Sequence, residues 1–298
     1  MSPVGVVADY QNLCGEGPQW SPGDQTLEWI DCLAGKFFRL NWPSRRHSLI
    51  KQELAINGFR RNRQGGYVIT NNQGFWSWDG AEKLRLIAEK ADGLDCQLND
   101  CGADPRGRLL AGSCFYSPAE AYKLGALISL NEKGHARVLD EGFHLANGIG
   151  FDPAGKTLYF TDSAARRIYA YEYEIASGTA RNRRVFVQVP GDEGLPDGLA
   201  VDAAGFVWSA QWYGSCIVRY DPDGKVERRV SIPAKQTSSL CFGGPELTDI
   251  FVTSAGQSEA MPIMPPGYDP KAGYFGGALF HLNLDIPGQR PLLVDIKV

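Results

Sequence analysis

The sequence predicts an all-β protein, a six-bladed β-propeller that forms a single domain over residues 1–298. A turn followed by a strand-like segment recurs six times along the chain. The recurrence has a period of about 40 to 50 residues, which is typical of blades with four short strands each. Polar and apolar residues alternate with period two, and Gly, Pro and Asp interrupt every candidate helix. A pair of stacked β-sandwiches is the alternative, but it does not explain six equivalent turns.

The repeated strand-like segments are clear in every unit. The segment after each turn reads QTLEWID (25–31), GGYVITN (65–71), GRLLAGS (107–113), KTLYFTD (156–162), GFVWSAQ (205–211) and TDIFVTS (248–254). Most are followed by a second alternating segment, such as KFFRLNW, QGFWSWD or RRIYAYEYE. Two strands are therefore visible in each unit, and room remains for the two more that a blade needs.

A polar residue stands five positions ahead of the turn in five units, and in the sixth, where the turn is shortened to GGPE, Ser239 is the nearest equivalent. In LANGIGFDPAGKTLYFTD this residue is Asn147, ahead of Asp152, and in LPDGLAVDAAGFVWS it is Asp197, ahead of Asp202. Since the innermost strand of each blade lines the central channel, equivalent positions are expected to form a ring about it. The predicted ring is Glu16, Asn57, Asn99, Asn147, Asp197 and Ser239. The alternative is that Asn-Gly and Asp-Gly are ordinary turn dipeptides and that the channel holds only water.

The residue types in this ring predict a metal site in the central channel. Glu16 and Asp197 are carboxylates, and burying both without a counter-charge would be costly. Oxygen ligands without His or Cys favour hard ions such as Ca²⁺, Mg²⁺ or Mn²⁺, with Zn²⁺ or Fe²⁺ as alternatives. Such an ion can polarise a carbonyl and activate water, and Asp197 could serve both as ligand and as general base. No G-x-S-x-G elbow or phosphate-binding P-loop is present in the sequence.

Composition excludes several other classes of function. The net charge is −4, without a clustered basic face, so no nucleic-acid partner is expected. No apolar run reaches the roughly 18 residues of a membrane helix, and no signal peptide is recognisable. Seven scattered Cys, without a C-x-x-C pair, indicate reduced thiols in the cytoplasm rather than disulfides. The four separated His are expected to be structural.

Several segments together resemble the regucalcin / gluconolactonase family of sugar lactonases, also called the senescence-marker-protein type. They are GEGPQW (15–20), QLNDCGADPRGRLLAGS (97–113), ANGIGFDPAGKTLYFTDS (146–163), LPDGLAVDAAGFVWSAQW (195–212) and CFGGPEL (241–247). The resemblance implies a six-bladed propeller with one divalent metal in the channel. It also implies that Glu16, Asn147 and Asp197 are the metal ligands, that Asp197 is the general base, and that Asn99 contacts substrate.

The sequence departs from the family at one informative position. Many members carry Arg two residues before the Asn that contacts substrate, whereas this chain has Gln97. A shorter, uncharged amide at this place predicts a change in substrate preference. Tyr116 and Glu120 are further candidates for substrate contacts at the rim. The Pro-rich segment 256–277 is either a lid or a packed surface loop.

Two tryptophans are ambiguous in the sequence. Trp20 and Trp212 each either flank the mouth of the channel and pack on a sugar ring or belong to the core between blades.

The resemblance implies a metal-dependent lactonase that hydrolyses a sugar-derived aldonolactone to the open-chain acid, with the metal as Lewis acid. The preferred cofactor is one Ca²⁺ ion. The expected partner is a small sugar lactone, with no membrane partner, and the protein is expected to be a monomer or a weak dimer. Two alternatives stay open: a phosphotriesterase-like hydrolase on the same fold, and a non-enzymatic calcium-binding propeller.

Overall fold

The computed structural model describes residues 4–115, 123–256, 263–269 and 276–297. Within these ranges every regular element is a β-strand. The strands form six four-stranded sheets and one two-stranded ribbon. This is the arrangement of a six-bladed β-propeller, which confirms the predicted fold class.

The chain divides into two compact units, each of which contains three of the four-stranded sheets. The first unit comprises Met1–Ala55 and Phe186–Pro291, and the second comprises Ile56–Val185 and Leu292–Val298. The strands of the first unit are β1 (Gly5–Asp9), β2 (Gly15–Ser21), β3 (Thr26–Asp31), β4 (Lys36–Asn41), β5 (Arg46–Lys51), β20 (Leu195–Val201), β21 (Val207–Trp212), β22 (Cys216–Tyr220), β23 (Val226–Ser231), β24 (Gln236–Gly243), β25 (Asp249–Ala255) and β26 (Ala278–Asn283).

The second unit contains the strands between β5 and β20. They are β6 (Gly58–Arg61), β7 (Tyr67–Asn71), β8 (Gly74–Trp78), β9 (Leu84–Ala88), β10 (Lys90–Ala91), β11 (Leu94–Asp95), β12 (Leu98–Ala103), β13 (Leu109–Ser113), β14 (Gly125–Leu130), β15 (Ala136–Phe143), β16 (Ala146–Phe151), β17 (Thr157–Asp162), β18 (Arg167–Glu174) and β19 (Thr179–Gln188).

Five of the four-stranded sheets follow the order of the chain, and the sixth does not. The sequential sheets are β2-β3-β4-β5, β6-β7-β8-β9, β12-β13-β14-β15, β16-β17-β18-β19 and β20-β21-β22-β23. The sixth has the order β1-β26-β25-β24, and β1 pairs antiparallel with β26 from Gly5↔His281 to Asp9↔Ala278. The first strand of the chain therefore covers the edge of β26, which would otherwise expose unpaired backbone groups.

The turn aspartates that define the sequence register bond to their own turns. Oδ1 of Asp202 accepts from the backbone N–H groups of Ala204 and Phe206, each at 3.0 Å. Asp104 and Asp152 make equivalent pairs of bonds within their own turns. Since Asp can cap a turn in this way, the D-x-x-G pattern specifies where the first strand of a sheet ends and the second begins.

The second strand of each sheet is almost entirely buried, on both of its faces. All six residues of β3 are buried. In the first unit Trp20 is 2% exposed and stacks on Phe251 with ring centroids 5.8 Å apart. Trp20 therefore belongs to the core, as one of the two interpretations predicted. In the part of the chain that the structure describes, no helix is long and apolar enough to cross a membrane.

Candidate functional site

Most of the first strands of the sheets carry a β-bulge close to the predicted ring position. In β16 the bulge lies between the pairs Ala146↔Asp162 and Ile149↔Phe160, so Asn147 is its first unpaired residue. Asn99 in β12 and Asp197 in β20 occupy the same place. A bulge bends its strand and redirects a side chain, and such bulges are common beside functional sites. The shared register that the sequence predicted is confirmed for these three residues.

Two other members of the predicted ring are paired residues beside their bulges rather than unpaired residues within them. Glu16 is still paired, with Ile30, and the bulge of β2 follows it. Ser239 is paired with Thr253 and follows the bulge of β24. The pairing of these two residues therefore differs from that of Asn99, and their place in the ring stays a prediction. A bulge inserts an extra residue into one strand, so its position decides which residues remain paired.

In the first unit the negative charges of Glu16 and Asp197 both help to raise the pKa of the Cys14 thiol. Asp197 is 5% exposed, and Oε2 of Glu16 accepts from the N–H of Gly17 at 3.1 Å. A hydrogen bond with Cys32 and burial raise the pKa of Cys14 well above its ordinary value, and the negative charges of Glu16 and Asp197 add to this shift. Two acidic side chains are thus gathered around one buried thiol, which keeps that thiol protonated.

The residue after Asp197 must be glycine because two strands meet there. A Cβ atom on Gly198 would lie 2.2 Å from Oγ of Ser239 and 2.7 Å from its Cα. Strands β20 and β24 can approach this closely only where one of them lacks a side chain. The Asp-Gly dipeptide of β20 therefore fixes the position of the Asp197 carboxylate against the neighbouring strand.

In the second unit the amides of Asn99 and Asn147 are bonded to each other. Nδ2 of Asn99 donates to Oδ1 of Asn147 at 2.7 Å and to the backbone carbonyl of Ala146 at 2.9 Å. Nδ2 of Asn147 donates to Oγ of Ser163 at 2.8 Å. Asn57 makes the same kind of inter-sheet bond, since its Nδ2 donates to the carbonyl of Leu98 at 2.7 Å.

These bonds decide which amide atoms are available to a ligand. Both N–H groups of Asn99 are used, so this side chain can only accept further hydrogen bonds, through Oδ1. Oδ1 of Asn147 accepts one bond from Asn99 and keeps a second lone pair, which a cation or a hydroxyl can approach. The amides therefore present oxygen atoms, the ligand type that hard divalent cations prefer.

Gln97 lies beside a smaller cavity in the second unit. Its side chain is partly buried and helps to line a cavity of about 300 Å³ together with Asn72, Gln73, Glu89, Lys90, Asp95 and Cys96. The backbone of Gln97 bonds to Asp95 and Cys114. Its predicted contact with substrate stays a prediction. Tyr116 and Glu120 lie outside the described residues, as does most of the segment 256–277.

A comparison with models of known protein families shows the family of this chain. The family model described as "SMP-30/Gluconolactonase/LRE-like region" matches residues 14–256. The chain belongs to this family. The match contains Asn99, Asn147 and Asp197 together with Glu16, so all four residues lie inside the family region.

Individual relatives span nearly the whole chain. The pentonolactonase XacC of Haloferax volcanii is 32% identical over 296 residues, which cover 98% of each chain. The regucalcin of Xenopus laevis is 31% identical over 256 residues, covering 84% of this chain and 85% of that protein. The crystal structure of a calcium-binding regucalcin from Agrobacterium tumefaciens has a TM-score of 0.85 at 25% identity, covering 99% of this chain and 98% of the other.

Acidic, thiol and imidazole side chains do not by themselves form a metal site in the described part of the chain. Among the residues that the structure describes, no group of three or more His, Cys, Asp or Glu side chains lies close enough to hold a metal ion. Asn147 offers a neutral oxygen atom, which is a ligand type that hard cations accept. Two of the histidines instead contact structural aspartates, as His281 does with Asp249 at 2.7 Å and His144 with Asp162 at 3.2 Å.

The sequence did not reveal every polar residue near Asp197. Gln211 is paired across the sheet with Pro196, the residue before Asp197, and is 1% exposed. A glutamine in the mostly apolar strand β21 was the available signal, because polar side chains are rarely buried without a hydrogen-bond partner.

Proposed function

We propose that the protein is a metal-dependent lactonase that hydrolyses a sugar-derived lactone to the open-chain acid. Membership of the SMP-30/gluconolactonase family is the observation that carries this proposal. It is supported by the likeness over 98% of each chain to a pentonolactonase. A second support is the buried carboxylate of Asp197, held on a bulge against β24.

The proposed metal ligands are Glu16, Asn147 and Asp197. All three provide oxygen, and the two carboxylates match the charge of a divalent cation. Ca²⁺ is the preferred ion, which the calcium-binding regucalcin of similar fold also supports. Such an ion, when bound, polarises the carbonyl of a lactone and lowers the pKa of a neighbouring water molecule.

The other steps are assigned to side chains of this chain. Asp197, which is 5% exposed, accepts the proton of the attacking water. Asn99 accepts a hydrogen bond from a substrate hydroxyl through Oδ1, since its N–H groups are already bonded. Gln97 is proposed as a second contact to the sugar hydroxyls, with Tyr116 and Glu120 at the rim.

The test is hydrolysis of lactones followed in a pH-stat with a careful blank. Protein stripped of metal by a chelator is assayed on a series of pentono- and hexonolactones, and each divalent ion is then added back. We expect turnover above the blank only with metal present. Asp197→Asn should lower kcat at least about 100-fold, the usual contribution of a general base.

The matched control is Asp223→Asn. Asp223 is an exposed carboxylate in a turn of the same sheet, and its loss should leave kcat unchanged. Full activity of Asp197→Asn, or equal rates with and without metal, would show that the proposed roles are wrong.

A second candidate function is calcium binding without catalysis. The calcium-binding regucalcin of similar fold favours it. Calorimetric titration with Ca²⁺ separates the two: binding that Glu16→Gln abolishes, without turnover of any lactone in the series, would support the second function.

A further inference from the structure

A cavity of about 900 Å³ lies in the first unit, apart from the residues assigned above. Its walls come from four segments, around residues 192–194, 211–216, 229–235 and 265–268. This volume is in the range of small-molecule sites. Most of the wall is apolar, with Ile232, Pro233 and two tyrosines among the lining residues.

Two buried polar atoms of this cavity have no hydrogen-bond partner among the described residues. Nε2 of Gln211 donates to Oγ of Ser209 at 3.0 Å, but Oε1 of Gln211 has no donor. The hydroxyl of Tyr268 is also buried and unbonded. Burying a polar atom without a partner destabilises the fold. A ligand with hydroxyl groups would remove this cost at both atoms.

The aromatic residues of the cavity suit the flat face of a ring. Tyr213 is 5% exposed and lies against Tyr268, with centroids 4.6 Å apart and planes inclined by 57°. Burial, with smaller effects of Tyr213 and Asp269, raises the pKa of Tyr268 to about 12. Its hydroxyl therefore stays protonated at neutral pH and can donate to a ligand.

The two basic side chains of the cavity are already paired, which favours a neutral ligand over an anion. Arg229 bonds to Glu193 at 2.6 Å. Lys235 donates to the carbonyl of Asp269 and lies 5.1 Å from the ring of Tyr268. An anionic ligand would have to break one of these interactions, whereas a neutral hydroxylated ring would not.

The position of Gln211 connects this cavity to the proposed reaction. Gln211 faces Pro196 across strands β20 and β21, and Pro196 precedes Asp197. Residues paired in this way have Cα atoms about 4.5 to 5.5 Å apart. The cavity therefore begins within one residue of the proposed general base.

We propose that this cavity is a subsite for a neutral glycosyl ring carried by the lactone substrate. One ring hydroxyl donates to Oε1 of Gln211, another accepts from the hydroxyl of Tyr268, and the apolar ring face packs on Tyr213. The role of this subsite in catalysis rests on the proposed lactonase function, whereas the binding of a glycosyl ring in the cavity does not depend on that function.

The first experiment measures binding without catalysis. Methyl glucopyranosides and methyl xylopyranosides, with cellobiose and maltose, are added to the full-length protein and followed by saturation-transfer NMR. We expect a Kd near 1 mM for at least one of these probes, in keeping with a few hydrogen bonds and one stacked ring. Gln211→Met, which keeps the side-chain volume, and Tyr268→Phe should each raise this Kd about 10-fold. Tyr10→Phe, which removes a hydroxyl outside the cavity, should leave it unchanged.

The second experiment compares lactones with and without a glycosyl substituent. Gln211→Met should lower kcat/KM for an aldobionolactone about 10-fold and leave that for the corresponding aldonolactone unchanged. Absence of glycoside binding, or equal binding by the Gln211→Met variant, would overturn the subsite even if lactones are hydrolysed. Glycoside binding without turnover of any lactone would instead contradict the proposed function and leave the subsite standing.

Discussion

Replacement of Gly198 by alanine should destabilise the protein and displace its proposed general base. The new Cβ would lie 2.2 Å from Oγ of Ser239, 2.6 Å from its Cβ and 2.7 Å from its Cα. Rotation of the serine side chain can relieve only the first contact, because the other two belong to atoms fixed by strand β24. One of the two strands must therefore move.

The expected cost is about 3 kcal/mol, at the upper end of what overpacking usually costs. Since Asp197 directly precedes Gly198, a shift of β20 by a few tenths of an ångström to 1 Å should lower kcat by up to about 100-fold. Urea unfolding followed by tryptophan fluorescence gives the loss of stability from the shift in midpoint at constant m. Lactone hydrolysis gives the change in kcat.

The control is Gly191→Ala, because nothing lies within 4 Å of a Cβ atom there. It should change stability by less than about 0.5 kcal/mol. Adding Ser239→Gly to Gly198→Ala removes two of the three close contacts and should restore part of the lost stability. A Gly198→Ala protein with the midpoint and kcat of the parent would refute the argument that a close approach of two strands positions Asp197.

Three other predictions concern ionisable groups. Asp202→Ala should cost about 3 to 5 kcal/mol in urea unfolding, because it removes the buried carboxylate 2.7 Å from Arg219 and leaves this arginine only the more exposed Glu227 at 3.2 Å; Asp152→Ala, which loses only turn bonds, should cost about 1 to 2 kcal/mol. Burial tends to raise the pKa of Asp249, but hydrogen bonds from His281 and Asn283 lower it overall. This carboxylate therefore stabilises the fold at pH values above its unfolded pKa of about 4, and the stabilisation is lost as the pH falls through its lower folded pKa. Asp249→Asn should accordingly shrink the difference in stability between pH 6 and pH 3, and an unchanged difference would contradict this. Burial raises the pKa of Cys101 to about 12, so at pH 8 its thiol should react with a disulfide reagent only as fast as the protein unfolds; rapid reaction would show that it is accessible.

Local patterns in the sequence were sufficient for the fold. Alternation of period two predicted strands, and the D-x-x-G turns set the boundaries between them, since Asp104, Asp152 and Asp202 each bond to their own turn. The spacing of these turns predicted six sheets, which the strand order confirms. Asn99, Asn147 and Asp197 were found in the same way, because each stands at a fixed distance from a turn.

The tertiary structure decided what depends on contacts between distant segments. The bulges of β2 and β24 leave Glu16 and Ser239 paired, unlike Asn99, and no local signal in the sequence reports where a bulge lies. Gln211 and Tyr268 meet in one cavity although 57 positions separate them along the chain. Turns and strand periods arise from interactions between neighbouring residues, which the sequence displays directly. Bulge positions, amide bonds between sheets and cavities depend on how whole strands pack, so only the folded chain determines them.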